Sequence, residues 1–209
     1  MGGIEFQELL IAFAVLIASL TFHEAAHAWT ANRLGDPTAR MLGRLSLNPA
    51  VHVDLIGTIV FPLLAMVTGI PVIGWAKPVP VDMRHLRHPR RDFAIVAAAG
   101  PISNLILAAA GALVFLLWNF NAATPTSELL ATAVIRFVLL NVLLAVFNMI
   151  PIPPLDGGNV LMGILPEQMA VAVDRVRPWG FLLLYVLMLS GLLAEIMFPV
   201  QRAVLNSLL

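Results

Sequence analysis

Long apolar runs, rather than a regular alternation of polar and apolar positions, dominate this chain. A helix that crosses a membrane needs about 20 mostly apolar residues. The chain offers five candidate runs, at about 6–31, 55–75, 93–118, 129–150 and 179–200. Because only helices and closed barrels can span lipid, the pattern predicts an all-α polytopic membrane protein, a bundle of about four to five transmembrane helices.

The second run differs from the others because both of its flanks are basic and prolines interrupt it at Pro62 and Pro71. The flanks carry Arg33, Arg40 and Arg44 on one side, and Lys77, Arg84, Arg87, Arg90 and Arg91 on the other. Loops rich in Lys and Arg stay on the cytoplasmic side, so a single crossing would place one basic loop on the wrong side. We therefore predict a re-entrant or extended segment near residues 55–80, with an ordinary span as the alternative.

The amino-acid composition supports a membrane protein and limits the residue types that could bind a metal ion. Hydrophobic residues make up 60% of the 209 residues and charged residues 11%, against roughly 25% charged in soluble domains. The lipid bilayer is thus the expected partner. The net charge of zero gives no support for a nucleic-acid partner. Because the chain has no cysteine, any zinc ligands must be His, Asp or Glu.

The first apolar run contains the sequence HEAAH at 23–27. On a helix, positions four apart share a face, so His23 and His27 can reach one metal ion. Glu24 beside them can act on a water molecule without binding the metal. The alternative is a set of polar residues facing the bundle interior. Ionisable groups inside a membrane are costly unless they have a function, which favours a metal site.

A catalytic zinc ion usually has three protein ligands, so one more is needed. Asp156 follows a proline-rich stretch, NMIPIPPLDGG at 148–158, at the end of the fourth run. The prolines end the helix, and an acid at this point can face the bundle. Taken alone, without the two histidines, Asp156 would be interpreted as a turn residue. Glu128 and Glu195 are the other acids near apolar runs.

Three motifs together resemble the site-2 protease family of intramembrane zinc metalloproteases. They are HEAAH, GPISN at 100–104 and NMIPIPPLDGG, in the order found in that family. The stretch GWAKPVP at 74–80 resembles a small branch without PDZ or CBS domains. The resemblance covers residues 10–165. It implies that one zinc ion is bound by His23, His27 and Asp156, that Glu24 is the general base, that Asn148 stabilises the oxyanion and that Asn104 faces the core.

The resemblance also implies an activity and a location. We expect a single integral-membrane domain over 1–209, with a catalytic core over 6–165 and a C-terminal span over 179–200. The expected activity is zinc-dependent endopeptidase cleavage of transmembrane segments in membrane-protein substrates, with residues 70–80 as a strand edge for the unwound substrate. The expected location is a prokaryotic cell membrane, with the active site toward the cytoplasm. The oligomeric state stays open.

Two other functions remain possible at this point. A zinc or ion transporter would also place His and Asp within the membrane, although the sequence lacks the inverted repeat of many transporters. An inactive membrane scaffold is the third interpretation.

Three further polar residues have no assigned role. His52 and Asp54 follow an Asn-Pro pair; we interpret them as turn residues, with a second metal site or a gate as the alternative. Arg136 lies inside the fourth run and needs a partner that the sequence does not identify.

Overall fold

The computed structural model describes residues 6–69, 73–118 and 124–208. These ranges contain helices joined by turns and no β-strand, so the predicted all-α fold is confirmed. The helices are α1 (Phe6–Leu34), α2 (Thr38–Met41), α3 (Phe61–Thr68), α4 (Pro89–Leu117), α5 (Pro125–Asn148), α6 (Asp156–Ile164), α7 (Glu167–Asp174), α8 (Gly180–Leu189) and α9 (Leu192–Leu208). A π-helical turn, Leu55–Val60, leads directly into α3.

Helices α1, α4 and α5 form the central bundle. Their segments Gln7–Leu34, Pro89–Leu117 and Thr126–Asn148 are long and apolar enough to cross a membrane. Helix α4 packs against α1, α5 and α6. Small side chains allow this close approach; the buried small residues of α4 are Ala97, Gly100, Ala108, Gly111 and Ala112. The membrane-spanning bundle is therefore organised around α4.

The segment after the π-helical turn folds back on itself. The Trp75 N–H donates to the Gly57 carbonyl over 3.1 Å, and the Thr58 hydroxyl donates to the Trp75 carbonyl over 2.8 Å. Further along, the Lys77 N–H donates to the His52 carbonyl over 2.9 Å. The extended chain thus returns to the level from which the helical segment started, as the prediction of a re-entrant segment requires. Residues 70–72 lie outside the described ranges.

The last apolar run, predicted as a C-terminal span over 179–200, forms two helices. Helices α8 and α9 meet at a break, where the pair Glu167–Leu189 and Leu192–Leu208 bends by 82°. Gly191 lies in the break with φ of +81°, a conformation that glycine adopts without steric cost. If the bent pair is counted as one span, it is the fourth candidate span within the described ranges.

Arg136 finds its partner on α1. Its Nη2 lies 3.2 Å from Glu8 Oε1, and its Nη1 donates to the Glu8 carbonyl over 3.0 Å. The cation within the fourth apolar run therefore joins α5 to the start of α1.

Asp36 ties the end of the extended segment to the end of α1. Its buried carboxylate accepts the Thr38 hydroxyl over 2.5 Å and the Asp82 N–H over 2.7 Å. Burial by itself raises the pKa of Asp36, but these hydrogen bonds outweigh it and lower the pKa below its usual value. The extended segment is thus anchored on the helix that carries the HEAAH motif.

Candidate metal centre

Helix α1 presents two histidine side chains to α4. His23 and His27 lie one turn apart and are buried. They pack on Gly100, where an added Cβ atom would lie 2.5 Å from His23 Nε2 and under 3.0 Å from His27 Nε2. Real Cβ atoms essentially never approach so closely. The glycine of the GPISN motif therefore makes room for the two imidazoles.

Asp156 is the first residue of α6, and the two glycines after it allow this helix to start where it does. An added Cβ at Gly157 would lie under 3.0 Å from the Met149 carbonyl, and one at Gly158 under 3.0 Å from the Pro153 nitrogen. Only glycine fits because α6 begins directly against the turn that follows α5. This packing carries Asp156 back to α1.

The three residues predicted as metal ligands converge. Asp156 Oδ2 lies 3.1 Å from His23 Nε2 and 3.5 Å from His27 Nε2. One possible ligand atom from each residue lies within 4.8 Å of the others. Residues far apart in the sequence thus form one compact cluster.

Hydrogen bonds on the far side of each imidazole fix its proton. His27 Nδ1 lies 2.7 Å from the Val96 carbonyl, which can only accept, so Nδ1 carries the proton. His23 Nδ1 lies 2.6 Å from Asn104 Oδ1 and donates in the same way. In the neutral imidazole, each Nε2 atom then keeps the lone pair that a metal ion needs. Asp156 Oδ2 is also buried, and among the described residues its polar neighbours are these two imidazoles.

This donor set fits zinc. Imidazole nitrogen and carboxylate oxygen atoms this close need a proton or a metal ion between them. Imidazole nitrogen and carboxylate oxygen bind zinc at about 2.0–2.2 Å, which separates tetrahedral ligand atoms by about 3.3–3.6 Å. The measured 3.1 and 3.5 Å lie close to that spacing. Histidine ligands that donate through their other nitrogen to an oxygen are also typical of zinc sites.

Glu24 is buried beside this cluster and contacts the extended segment. Its Oε2 accepts the Val79 N–H over 3.1 Å. Arg44 holds the same segment by donating from Nη2 to the Lys77 carbonyl over 2.5 Å. The extended segment therefore passes over the residue predicted as general base.

Comparison with known protein families identifies the family to which this chain belongs. Residues 11–190 match the model of peptidase family M50. The chain belongs to this family, that of the site-2 proteases. The predicted resemblance is thus confirmed.

Two bacterial relatives align with most of this chain. A protein of Bacillus subtilis (strain 168) named "Putative zinc metalloprotease YwhC" is 37% identical over 198 residues, which are 93% of this chain and 87% of the relative. "Putative zinc metalloprotease Rip2" of Mycolicibacterium smegmatis is 32% identical over 182 residues, 87% of this chain and 67% of the relative. No solved structure matches the chain at a significant level.

Asn148, the remaining predicted site residue, forms its hydrogen bond within α5 and not with the metal cluster. Its Nδ2 donates to the Leu144 carbonyl, one turn earlier on α5, over 3.0 Å. Within the described part of the chain, no hydrogen bond joins it to the three clustered residues. Its role as an oxyanion donor stays a prediction.

His52 and Asp54 also lie outside the cluster. Asp54 accepts from the Ile56 and Gly57 N–H groups and caps the π-helical turn. His52 is buried, and its Nε2 lies 2.8 Å from the Ser46 carbonyl. These contacts agree with the interpretation of both residues as turn residues.

Two buried polar residues near the site, Ser19 and Asn141, were not predicted as site residues from the sequence. Ser19 lies four residues before His23 and so faces the same side of α1. Asn141 is an uncharged amide within the apolar run at 129–150. A polar side chain in such a run, where it needs a partner, is the signal that identifies it.

Proposed function

We propose that this chain is a zinc-dependent intramembrane endopeptidase that cleaves transmembrane segments of membrane-protein substrates. His23, His27 and Asp156 hold one zinc ion in this proposal. The observation that carries it is the convergence of one possible ligand atom from each of these three residues, beside a buried glutamate.

The reaction divides between the metal and Glu24. Zinc, when bound, supplies Lewis-acid chemistry for hydrolysis of a peptide bond. Glu24 takes a proton from the attacking water as the new C–O bond forms, and gives it to the leaving nitrogen as the C–N bond breaks. The Val79 N–H holds Oε2 of this carboxylate, which leaves Oε1 to move the proton. One N–H of the Asn148 amide donates to the Leu144 carbonyl, and in this proposal its second N–H stabilises the oxyanion.

The basic loops support a cytoplasmic position for the site. The Arg87 N–H donates to the Leu34 carbonyl over 3.3 Å, and Arg90 donates to the Met162 carbonyl over 3.1 Å. These contacts gather the basic residues at one end of the bundle. His27 lies about 10 Å from that end of α1, at 1.5 Å per residue. Because basic loops stay inside, we place the site toward the cytoplasm of a prokaryotic cell.

The extended segment is suited to hold an unwound substrate strand. Trp75, Lys77 and Val79 all direct their backbone hydrogen bonds into the protein. In extended backbone, successive residues direct their N–H and C=O groups to opposite sides. The even-numbered residues 74–80 therefore form the opposite edge.

This outer edge has few donors. Pro78 and Pro80 have no N–H, so the N–H groups on it are those of Gly74 and Ala76. Neither N–H takes part in a hydrogen bond within the described ranges. We infer that a substrate strand pairs with this edge at these two residues, by strand addition.

Ala76 is the position at which to test strand pairing. Nearby Ile73 is less suitable because it is buried in the core, where proline would disturb packing. Ala76→Pro removes one outward N–H, whereas Ala76→Val adds bulk and keeps it. We expect cleavage to fall in the proline variant alone, with zinc content unchanged in both. Equal activity of the two variants would refute strand pairing at this residue.

Cleavage that depends on Glu24 tests the proposed function itself. Purified protein is incubated with a panel of single-span model substrates, beside Glu24→Gln with matched zinc content. We expect the wild type to cut within the membrane segment, located by product mass, and the variant to be inactive. Cleavage that persists in the variant would contradict the role of Glu24. Bound zinc without cleavage by either form would count against a protease, and zinc uptake into vesicles would then test the transporter.

A further inference from the structure

A chain of buried amides and one hydroxyl leads away from His23 into the bundle. Ser19 on α1, Asn104 on α4 and Asn141 on α5 are all 0% exposed. They contact one another and His23 through hydrogen bonds, so three membrane-spanning helices meet at this polar network. Buried polar groups in lipid surroundings are costly unless every one is paired, which makes the direction of each hydrogen bond well defined.

The direction of the network is set at Asn141. Its Nδ2 donates to the Phe137 carbonyl over 2.8 Å and to the Ser19 hydroxyl over 2.9 Å. Because a carbonyl only accepts, the nitrogen of this amide must face Phe137. The oxygen of Asn141 then faces Asn104, whose Nδ2 donates to it over 2.8 Å.

The same logic carries on to the histidine. Once Nδ2 of Asn104 faces Asn141, its Oδ1 faces His23, where it lies 2.6 Å from Nδ1. An amide oxygen has no proton to give, so Nδ1 of His23 carries a proton, and in the neutral ring Nε2 keeps its lone pair. Nε2 is the atom that lies 3.1 Å from Asp156 Oδ2. The backbone carbonyl of Phe137 thus determines which nitrogen of His23 is free for a metal.

We propose that Asn141 is a positioning residue for the metal centre and acts through Asn104 to fix the tautomer of His23. The proposal rests on the proposed zinc function. A reversed Asn104 amide would direct its NH₂ group at Nδ1, move the proton to Nε2 and block a zinc bond. Without Asn141, little opposes that reversal, because the other acceptor for Asn104, the Ser19 carbonyl, lies 3.4 Å away.

Zinc affinity, measured by competition with a chelator on the purified full chain, tests this relay without any cleavage assay. Asn104→Leu removes the acceptor for His23, and we expect it to weaken zinc binding by about 10- to 100-fold. Asn141→Leu should weaken binding in the same direction. The double variant should lose no more than Asn104→Leu alone, because Asn141 acts only through Asn104.

Two controls separate positioning from packing. Asn141→Asp has nearly the shape of asparagine, and burial keeps its carboxyl neutral, so it can donate to Phe137 and accept from Asn104. We expect it to bind zinc as the wild type does. Val142→Ala truncates the neighbouring buried residue of α5. It should lower the melting temperature and leave zinc affinity unchanged. If the leucine variant does not fold, Asn141→Ala, which removes the amide without adding a bulky apolar side chain, takes its place.

The outcomes are distinct. Three results together would support the relay. Asn141→Leu or Asn141→Ala binds zinc more weakly than the wild type, Asn141→Asp binds it as the wild type does, and the double variant binds it no more weakly than Asn104→Leu alone. Wild-type affinity in a folded Asn141→Leu or Asn141→Ala protein, or losses at Asn104 and Asn141 that add, would overturn it while leaving the proposed function intact. A wild-type protein that binds no zinc would overturn the proposed function and the relay together.

Discussion

The close approach of α1 to Gly100 gives the sharpest prediction about the metal centre. Gly100→Ala adds a single methyl group to α4, at a position where the helix itself accepts alanine better than glycine. In a helix free of tertiary contacts, the change would stabilise. Here the new Cβ atom would lie 2.5 Å from His23 Nε2, whereas ordinary contacts begin at 3.4 Å.

The size of the effect follows from that shortfall. The imidazoles must move by about 1 Å, which exceeds the roughly 0.5 Å within which a functional site must be held. A misplacement of about 1 Å can cost on the order of 100-fold in activity, or about 2.7 kcal/mol. We therefore expect Gly100→Ala to weaken zinc binding and cleavage by at least about that factor.

Gly111→Ala is the matched control. It makes the same substitution further along α4, where the new Cβ atom would lie 2.9 Å from Val138 Cγ2 and 3.1 Å from Phe137 Cδ1. These atoms belong to side chains of α5 and not to the metal cluster. The control should change the melting temperature without changing zinc affinity. Both variants are compared by chelator competition and by thermal unfolding in detergent.

One result would refute this reasoning. If Gly100→Ala binds zinc as tightly as the wild type, the two histidines do not occupy the position against α4 that the structure gives them. A loss of the same size in Gly111→Ala would show instead that zinc affinity reports general packing of the bundle.

Three further predictions concern other parts of the structure. Val79→Pro removes the N–H that holds Glu24, so cleavage should fall relative to Val79→Ala while zinc content stays the same. Asp36→Asn removes an acceptor of the Asp82 N–H and should lower the melting temperature at pH 7. Because the pKa of Asp36 is lowered in the folded protein, the wild type should lose stability as the pH drops below about 4. This loss should be smaller in Asp36→Asn. Removing zinc with a chelator should lower the melting temperature of the wild type, since a ligand stabilises the state that binds it, and should hardly affect Asp156→Ala.

The local part of the site could be predicted from the sequence. His23 and His27 share a helix, so their spacing alone brings them to one face. Asp156 needed the resemblance to a family, because a turn residue and a metal ligand look alike in an isolated stretch. The fold-back near residues 55–80 followed from basic residues on both sides, which is a property of loops rather than of packing.

The rest depended on tertiary structure. The bend at Gly191 lies within a continuous apolar run, where glycine is common in membrane helices and gives no clear signal. Asn141 and Ser19 meet only because α1 and α5 turn particular faces toward each other. The contact between Val79 and Glu24 joins positions separated by an entire hairpin. Sequence periodicity identifies helices but does not set their rotation against one another.

Zinc content is the most direct test of the account. The wild type, Glu24→Gln and Asp156→Ala are purified under the same conditions, and zinc per chain is measured by mass spectrometry after exhaustive dialysis. The account predicts one zinc ion per chain in the wild type and in Glu24→Gln, and loss of that ion in Asp156→Ala. A full zinc ion retained in folded Asp156→Ala, or none in the wild type, would contradict the assignment of His23, His27 and Asp156 as one metal centre.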